Sequence, residues 1–254
     1  MIHQTIAEVI DNTRLTDSIY LVTFRSKELT QEAKPGQFVN IRISEGCYPY
    51  LRRPFSYCDV VGDEFKVLFS IYGIGTKVIS QSSIGAKFDI IGPLGNGFNI
   101  DSEFNTAILV AGGLGVAPFA FLKRALPKNV KVVSYIGART KELIATYGLD
   151  NVVIATDDGS LGEKGTVIDL LKEDLMNGKF EGKFKIFGCG PTPMLKALKV
   201  LCEEFNLNCE VSTESAMACG FGICQGCPIE LADSSGYRLI CKDGPVFNIE
   251  EIKL

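Results

Sequence analysis

TAILVAGGLGVAPFAFL, residues 106–122, decides how this chain folds. AILVA (107–111) has the length and apolarity of a buried strand, Gly112, Gly113 and Gly115 follow as a tight turn, and Pro118 stands where a helix begins. The stretch approaches the apolar length of a membrane span, but the glycines and the proline interrupt it at its centre. Strand, turn and helix start explain it better. Backbone N–H groups at such a helix start attract phosphate oxygens, and missing β-carbons let a dinucleotide come close. The G-x-G-x-x-G fingerprint is absent, so for this stretch taken alone a turn made for packing stays open.

Outward from this turn the same rhythm repeats. VKVVSYIGA (130–138), NVVIAT (151–156), FKIFGCG (184–190) and CEVST (209–213) read as strands. APFAFLKRAL (117–126), TKELIATYG (140–148), VIDLLKEDLM (167–176) and TPMLKALKVLCEEF (192–205) read as amphipathic helices between them. The alternation predicts βαβ units and a parallel sheet covered on both faces. GCGPTPM (188–194) repeats the glycine turn and helix-start proline, and two such turns at the carboxyl ends of strands mark the crevice where open α/β sheets bind ligands. TDDGSLGEKG (156–165) adds a loop at a third strand end. Asp157 and Asp158 there repel an adenosine 2'-phosphate, which favours NAD over NADP, although acidic turns also serve as caps.

Towards the amino terminus the pattern is different. IYLVTF (19–24), FVNIRI (38–43), FKVLFSIY (65–72) and FDIIG (88–92) are short β-type runs bounded by KPGQ, VVGDE and IGAK, which predicts an antiparallel barrel or sandwich. Within it lies RRPFS (52–56). A guanidinium there can grip a diphosphate, a ring can lie against a flat heterocycle and a hydroxyl can bond its edge; alone, without the other motifs, the stretch reads rather as a solvated turn.

Nine cysteines fall into two groups. Cys47, Cys58, Cys189, Cys202 and Cys209 are scattered, and buried small hydrophobes account for most of them. Cys219-x4-Cys224-x2-Cys227, with Cys241 fourteen positions further on, has the plant-type spacing that ligates a [2Fe-2S] cluster through four thiolates. Gly220, Gly222 and Gly226 let the backbone wrap closely and aim N–H groups at sulfur. A four-cysteine zinc site is the alternative, but zinc ribbons usually supply two separate C-x2-C knuckles rather than one compact loop and a distant fourth ligand.

The 254-residue chain carries 46% hydrophobic and 22% charged residues and a net charge of -4, which gives no pull towards nucleic acid or an anionic membrane. MIHQTIAEVIDNTR has no secretory pattern, so the expected compartment is the cytoplasm, where thiols stay reduced. His3, expected at a mobile end, is the only histidine; no carboxylate pair or nucleophile–base set was found, so acid–base chemistry on a substrate is expected on another chain.

With RRPFS, IYGIGT (71–76), GPLGNGF (92–98), AGGLGVAPF, TDDGSLGEKG, GCGPTPM and the CGFGICQGC loop in this order, the sequence resembles the ferredoxin reductase family over nearly its whole length. Within that family it resembles the electron transfer subunits that serve an FMN-containing dihydroorotate dehydrogenase catalytic subunit. The resemblance implies a β + α/β multidomain fold: an FAD-binding antiparallel β-barrel (1–100), an NAD-binding parallel-sheet α/β domain (101–213) and a small C-terminal [2Fe-2S] lobe (214–254). It implies that Arg53 contacts the FAD diphosphate, with Pro54 beside it, Phe55 against the isoalloxazine and Ser56 near its reactive nitrogen. The wider family often has Tyr at the Phe55 position, so a hydroxyl contact is missing here. Leu68, Phe69 and Ser70 match the strand along the flavin, and Gly75 with Thr76 its phosphate-binding turn. Gly112, Gly113, Gly115 and Gly190 fall on the nucleotide turns, with Asp157 beyond them. Cys189 is placed near the nicotinamide with no role beyond packing, and GPLGNGF is left without a role.

Nicotinamides trade hydrides while an iron-sulfur cluster passes single electrons, so a flavin has to stand between them. By resemblance, electrons run from the partner's FMN through the cluster and FAD to NAD as dihydroorotate becomes orotate in pyrimidine synthesis, in a heterotetramer of two copies of each subunit. The alternatives are the small subunit of an NADH-dependent ferredoxin:NADP oxidoreductase, a self-sufficient reductase, and a non-catalytic zinc-stapled module.

Overall fold

The computed structural model describes residues 1–46, 48–101 and 103–254; Cys47, read above with the buried cysteines, lies outside them. Seven strands make the first sheet: β1 (His3–Arg14), β2 (Ile19–Arg25), β3 (Phe38–Ile41), β4 (Arg53–Ser56), β5 (Asp59–Val61), β6 (Glu64–Ser70) and β7 (Lys87–Leu94). Their order is β4-β3-β7-β1-β2-β6-β5, with every pairing antiparallel. Two short helices, α1 (Lys27–Thr30) and α2 (Ile74–Ser80), lie between strands.

The expected antiparallel barrel takes the form of a curled half-barrel. No ladder joins β4 to β5 or β6 among the described residues, yet the curl brings the rings of Phe55 on β4 and Phe69 on β6 to 5.4 Å. Inside it Phe24 and Phe65 stack at 5.3 Å, and the buried Tyr57 hydroxyl donates to Leu29 O at 2.7 Å. Each such fully buried aromatic contributes on the order of 2–3 kcal/mol of apolar transfer energy, and the one polar group among the three, the Tyr57 hydroxyl, is satisfied.

The second sheet holds β8 (Thr106–Gly112), β9 (Lys131–Ala138), β10 (Val152–Thr156), β11 (Glu163–Lys164), β12 (Phe184–Cys189) and β13 (Cys209–Ser212) in parallel. β8, in the middle, is apolar on both faces: Ile108 and Val110 join the cluster with Leu171, Leu195 and Leu198, while Leu109 and Ala111 join the one with Phe119 and Leu122. Those clusters are covered by α3 (Phe119–Ala125) on one side and by α4 (Val167–Met176) and α5 (Thr192–Phe205) on the other.

The cysteine-bearing segment adds a hairpin, β14 (Pro228–Glu230) with β15 (Tyr237–Leu239), and α6 (Ile240–Asp243), which carries Cys241. The chain then returns as β16 (Val246–Asn248), antiparallel to β13 at the edge of the second sheet.

Three local expectations are corrected. TKELIATYG forms only a short 3-10 turn, Lys141–Leu143, after which Ile144 is extended; β-branched Ile144 and Thr146 are poor helix formers, and Gly148 has φ +71°. RRPFS is not a loop, because Arg53–Ser56 is the edge strand β4, where proline costs no ladder bond. His3 opens β1 opposite Gly92 rather than fraying at an end. No helix among the described residues is long and apolar enough to cross a membrane.

Candidate redox site

β4 and β6 face each other across the mouth of the half-barrel, and the space between them and the second sheet is a cavity of about 250 Å³. Pro54, Phe55 and Ser56 line one side and Leu68, Phe69 and Ser70 another. The far wall comes from Leu114 and Pro118 of the glycine turn and from Cys189 at the end of β12. Glu214 and Met217, on the chain leading into the cysteine loop, and Pro245, on the chain leaving it, close the cavity. Sequence reasoning missed this last wall, since its residues become neighbours only when β16 brings the chain back. Burial pushes the Cys189 thiol up, so it is a neutral apolar surface. Burial likewise raises the Glu214 carboxyl, although its side chain retains exposed area at the cavity mouth.

The two arginines of RRPFS separate clearly. Arg52 is committed to the fold, donating to Asp89 Oδ2 at 2.7 Å and Asp89 O at 2.6 Å. Arg53 bonds only backbone carbonyls, Leu51 O at 2.7 Å and Arg52 O at 3.3 Å, and meets no carboxylate among the described residues. Its guanidinium charge is therefore available to an anion. Gly75 lets the start of α2 lie on it, because a β-carbon there would stand 3.2 Å from Arg53 Cγ. Thr76 Oγ1 accepts from Tyr72 N at 2.9 Å and Gly73 N at 3.1 Å, so this hydroxyl shapes the turn.

A larger crevice of about 690 Å³ opens at the carboxyl ends of the parallel strands. Gly112, Gly113 and Asp157 line it, as expected from a switch-point site. Gly115 and Gly190 act differently: a β-carbon on Gly115 would fall 2.1 Å from Cys189 O, and one on Gly190 would fall 2.9 Å from Gly112 N. These two glycines let the two turns pack against each other. Asp158 turns away to cap its loop, accepting from Ser160 N at 2.9 Å, and the Ser160 hydroxyl together with that N–H lowers its carboxyl. Arg139 at the end of β9 also lines the crevice, a cation that the sequence argument from Asp157 and Asp158 left out. Ser70 and Leu114 border both this crevice and the smaller cavity.

The four clustered cysteines form two pairs. Cys227 Sγ lies 3.2 Å from Cys241 Sγ, and both residues are buried. Cys219 Sγ accepts from Cys224 N at 3.5 Å, and Cys241 N donates to Cys227 Sγ at 3.4 Å. Burial opposes ionisation of Cys219, but the backbone N–H groups of Cys224, Phe221 and Ile223 outweigh it and bring the thiol down to about 6. Cys241 goes the other way, pushed up to about 12 by burial and by Cys227. Gly220 and Gly222, at φ +83° and +90°, make the loop tight enough to turn amides towards sulfur. Among the described residues no three metal-ligating side chains yet surround one point. Three thiols in one loop, a fourth from α6 brought beside Cys227, and amides aimed at sulfur nevertheless suit a thiolate-ligated cluster.

A curled antiparallel sheet, a parallel α/β sheet and a cavity at their junction define the ferredoxin reductase class. The chain superposes on the structure of an NADH-dependent reduced ferredoxin-NADP oxidoreductase, described for flavin-based electron bifurcation, with TM-score 0.85 and 28% identity over 99% of this chain and 91% of that one. It shares its fold with a ferredoxin NADP+ reductase from Neisseria gonorrhoeae at TM-score 0.66 and 15% identity, over 79% and 91% of the two chains. Residues 214–253 match the family model of the iron-sulfur cluster binding domain of dihydroorotate dehydrogenase B. The dihydroorotate dehydrogenase B (NAD(+)) electron transfer subunits of Caldanaerobacter subterraneus subsp. tengcongensis and Bacillus mycoides are 36% and 37% identical to it, each over 97% of both chains. The chain belongs to this family of electron transfer subunits.

Proposed function

We propose that this chain is the electron transfer subunit of an NAD-linked dihydroorotate dehydrogenase, an oxidoreductase component that carries electrons from a catalytic partner to NAD. FAD occupies the cavity between β4 and β6, NAD exchanges through the crevice at the strand ends, and Cys219, Cys224, Cys227 and Cys241 hold a [2Fe-2S] cluster. The observation that carries this reading is the junction itself. Ser70 and Leu114 belong to both cavities, while Glu214, Met217 and Pro245 bring the cysteine-bearing segment to the smaller one. Bound there, a flavin supplies the exchange between hydride pairs and single electrons that nicotinamide and cluster cannot make with each other.

The chain's own residues do the holding. Arg53 offers a cation to the diphosphate, with Gly75 and Thr76 shaping the turn against it. Pro54, Phe55, Leu68 and Phe69 give the flavin ring apolar surface that excludes water, and Ser56 and Ser70 offer hydroxyls at its edges. Gly112 and Gly113 leave room for the pyridine nucleotide, Gly115 and Gly190 keep the two turns in contact, and Asp157 faces its adenosine end.

The same reading assigns 1–100 to flavin, 101–213 to the nucleotide and 214–254 to the cluster. It places the assembly in the cytoplasm as two copies of each subunit, with an FMN-containing partner and a role in pyrimidine synthesis. Co-expression with the catalytic subunit tests it: the purified complex reduces NAD when given dihydroorotate and releases orotate. A complex that instead reduces NADP with NADH and reduced ferredoxin, and forms no orotate, refutes it.

A further inference from the structure

The GPLGNGF turn and one buried asparagine reach from the flavin-side sheet to the cysteine loop, and neither borders the cavity between β4 and β6. Asn96, just past β7, donates through Nδ2 to Asp243 O at 2.8 Å and Lys242 O at 3.4 Å, and its backbone N–H donates to Gly244 O. These carbonyls directly follow Cys241. Gly95 makes the approach possible, since a β-carbon there would fall 2.5 Å from Gly244 O. Gln37 Nε2 in turn donates to Gly95 O at 2.7 Å, tying the turn back to its own sheet.

At the other end of the ligand set, Asn40 on β3 is fully buried and donates through Nδ2 to Cys219 O at 3.2 Å. The reverse amide orientation would set two oxygens against each other, so the Cys219 carbonyl fixes which way Asn40 points. Asn40 Oδ1 has no protein partner among the described residues, a cost the site accepts for this single contact. Gly220 is what admits it: a β-carbon there would fall 2.5 Å from Asn40 Nδ2. Asn40 lies two positions from Phe38, which lines the flavin-side cavity.

We propose that Asn40 and Asn96 are positioning residues that clamp the two ends of the cluster ligand set, Cys219 and Cys241, at a fixed place relative to the flavin cavity. The proposal rests on the flavin and cluster assignments above and adds the device that sets their separation. Phe221 and Ile223 at the tip of the loop are exposed, while Thr213, just past β13 of the second sheet, also holds Pro245 O through its N–H and hydroxyl, so the two asparagines are the ties to the flavin-side sheet.

Asn96 is exposed, so Asn96→Ala removes the side-chain bonds without a core cavity; Asn40→Ser is the companion at the buried end. In the anaerobically purified holoprotein, hydrogen exchange at the amides of Lys242, Asp243 and Gly244 should quicken about fivefold in Asn96→Ala, the worth of an ordinary hydrogen bond, with iron and flavin content unchanged. In stopped flow with NADH, flavin bleaching should keep its rate while the later cluster signal slows about tenfold, as a small displacement of a reacting centre predicts. Exchange and cluster reduction both within about twofold of the parent would overturn the clamp, as would loss of iron from Asn96→Ala, because the side chain would then retain the cluster rather than place it. A parent protein that lacks iron or flavin overturns the functional reading itself, and is told apart from these results before any variant is compared.

Discussion

Asp59 on β5 accepts the Nε and Nη2 hydrogen bonds of Arg124 on α3, each at 2.8 Å, and this forked pair fastens the curled sheet to the parallel one. The Asp59 side chain is 2% exposed and that of Arg124 54%, so the carboxylate depends on its partner more than the guanidinium does. Phe121 N donates to Cys58 O at 2.8 Å beside it, making a second tie across the same seam. Arg124→Ala leaves a buried carboxylate unpaired and should cost on the order of 2 kcal/mol, between the values of exposed and buried pairs. Differential scanning calorimetry of the holoprotein should show the melting temperature down by about 4–8 °C. An unchanged melting temperature would mean that the seam holds without the pair.

The glycines of AGGLGV separate by what surrounds them. Gly115→Ala drives a β-carbon into Cys189 O, which is backbone and cannot move aside, so this variant should accumulate poorly as folded protein. Gly113 has φ +54° with nothing near its β-carbon position, so Gly113→Ala should fold with a penalty of about 1–2 kcal/mol from backbone strain alone. Yield and chemical denaturation of the two variants side by side check the contrast; equal behaviour would contradict it.

Asp157 and Arg139 share the crevice at the strand ends with opposite charges. Asp157→Asn removes the charge that disfavours a 2'-phosphate and should raise kcat/KM for NADPH relative to NADH about fivefold, the worth of one partly screened charge contact. Arg139→Ala should lower the same ratio. If neither moves it, the adenosine end of the nucleotide lies elsewhere.

Cys224 is exposed at the loop tip, away from both cavities. Cys224→Ser should leave NADH-to-dye electron transfer largely intact and stop transfer to the partner's flavin. Persistence of both activities would break the proposed order of the relay.

The parallel sheet was legible because β8, β9 and β12 are mainly apolar runs, two of them, β8 and β12, closed by glycine turns, a signal written locally. β1 was not: in HQTIAEVIDNTR only Ala7 and Val9 are buried, too few for the alternation to register. β4 was hidden by Pro54 and α2 by its glycine, because both elements are held by neighbours rather than by propensity. The cysteine spacing could be read along one short stretch of chain, and the run FKVLFSIY that holds Leu68–Ser70 read as a strand, here β6. Glu214, Met217, Pro245, Arg139 and the asparagine clamp could not, since each matters only through a contact with chain distant in sequence.

The most direct measurement is the visible spectrum of anaerobically purified protein, taken with iron, sulfide and flavin assays on the same sample. The account predicts a coloured protein with one FAD and two iron and two sulfide per chain. A colourless sample, or one in which zinc fills the cysteine loop and no flavin is bound, would contradict it.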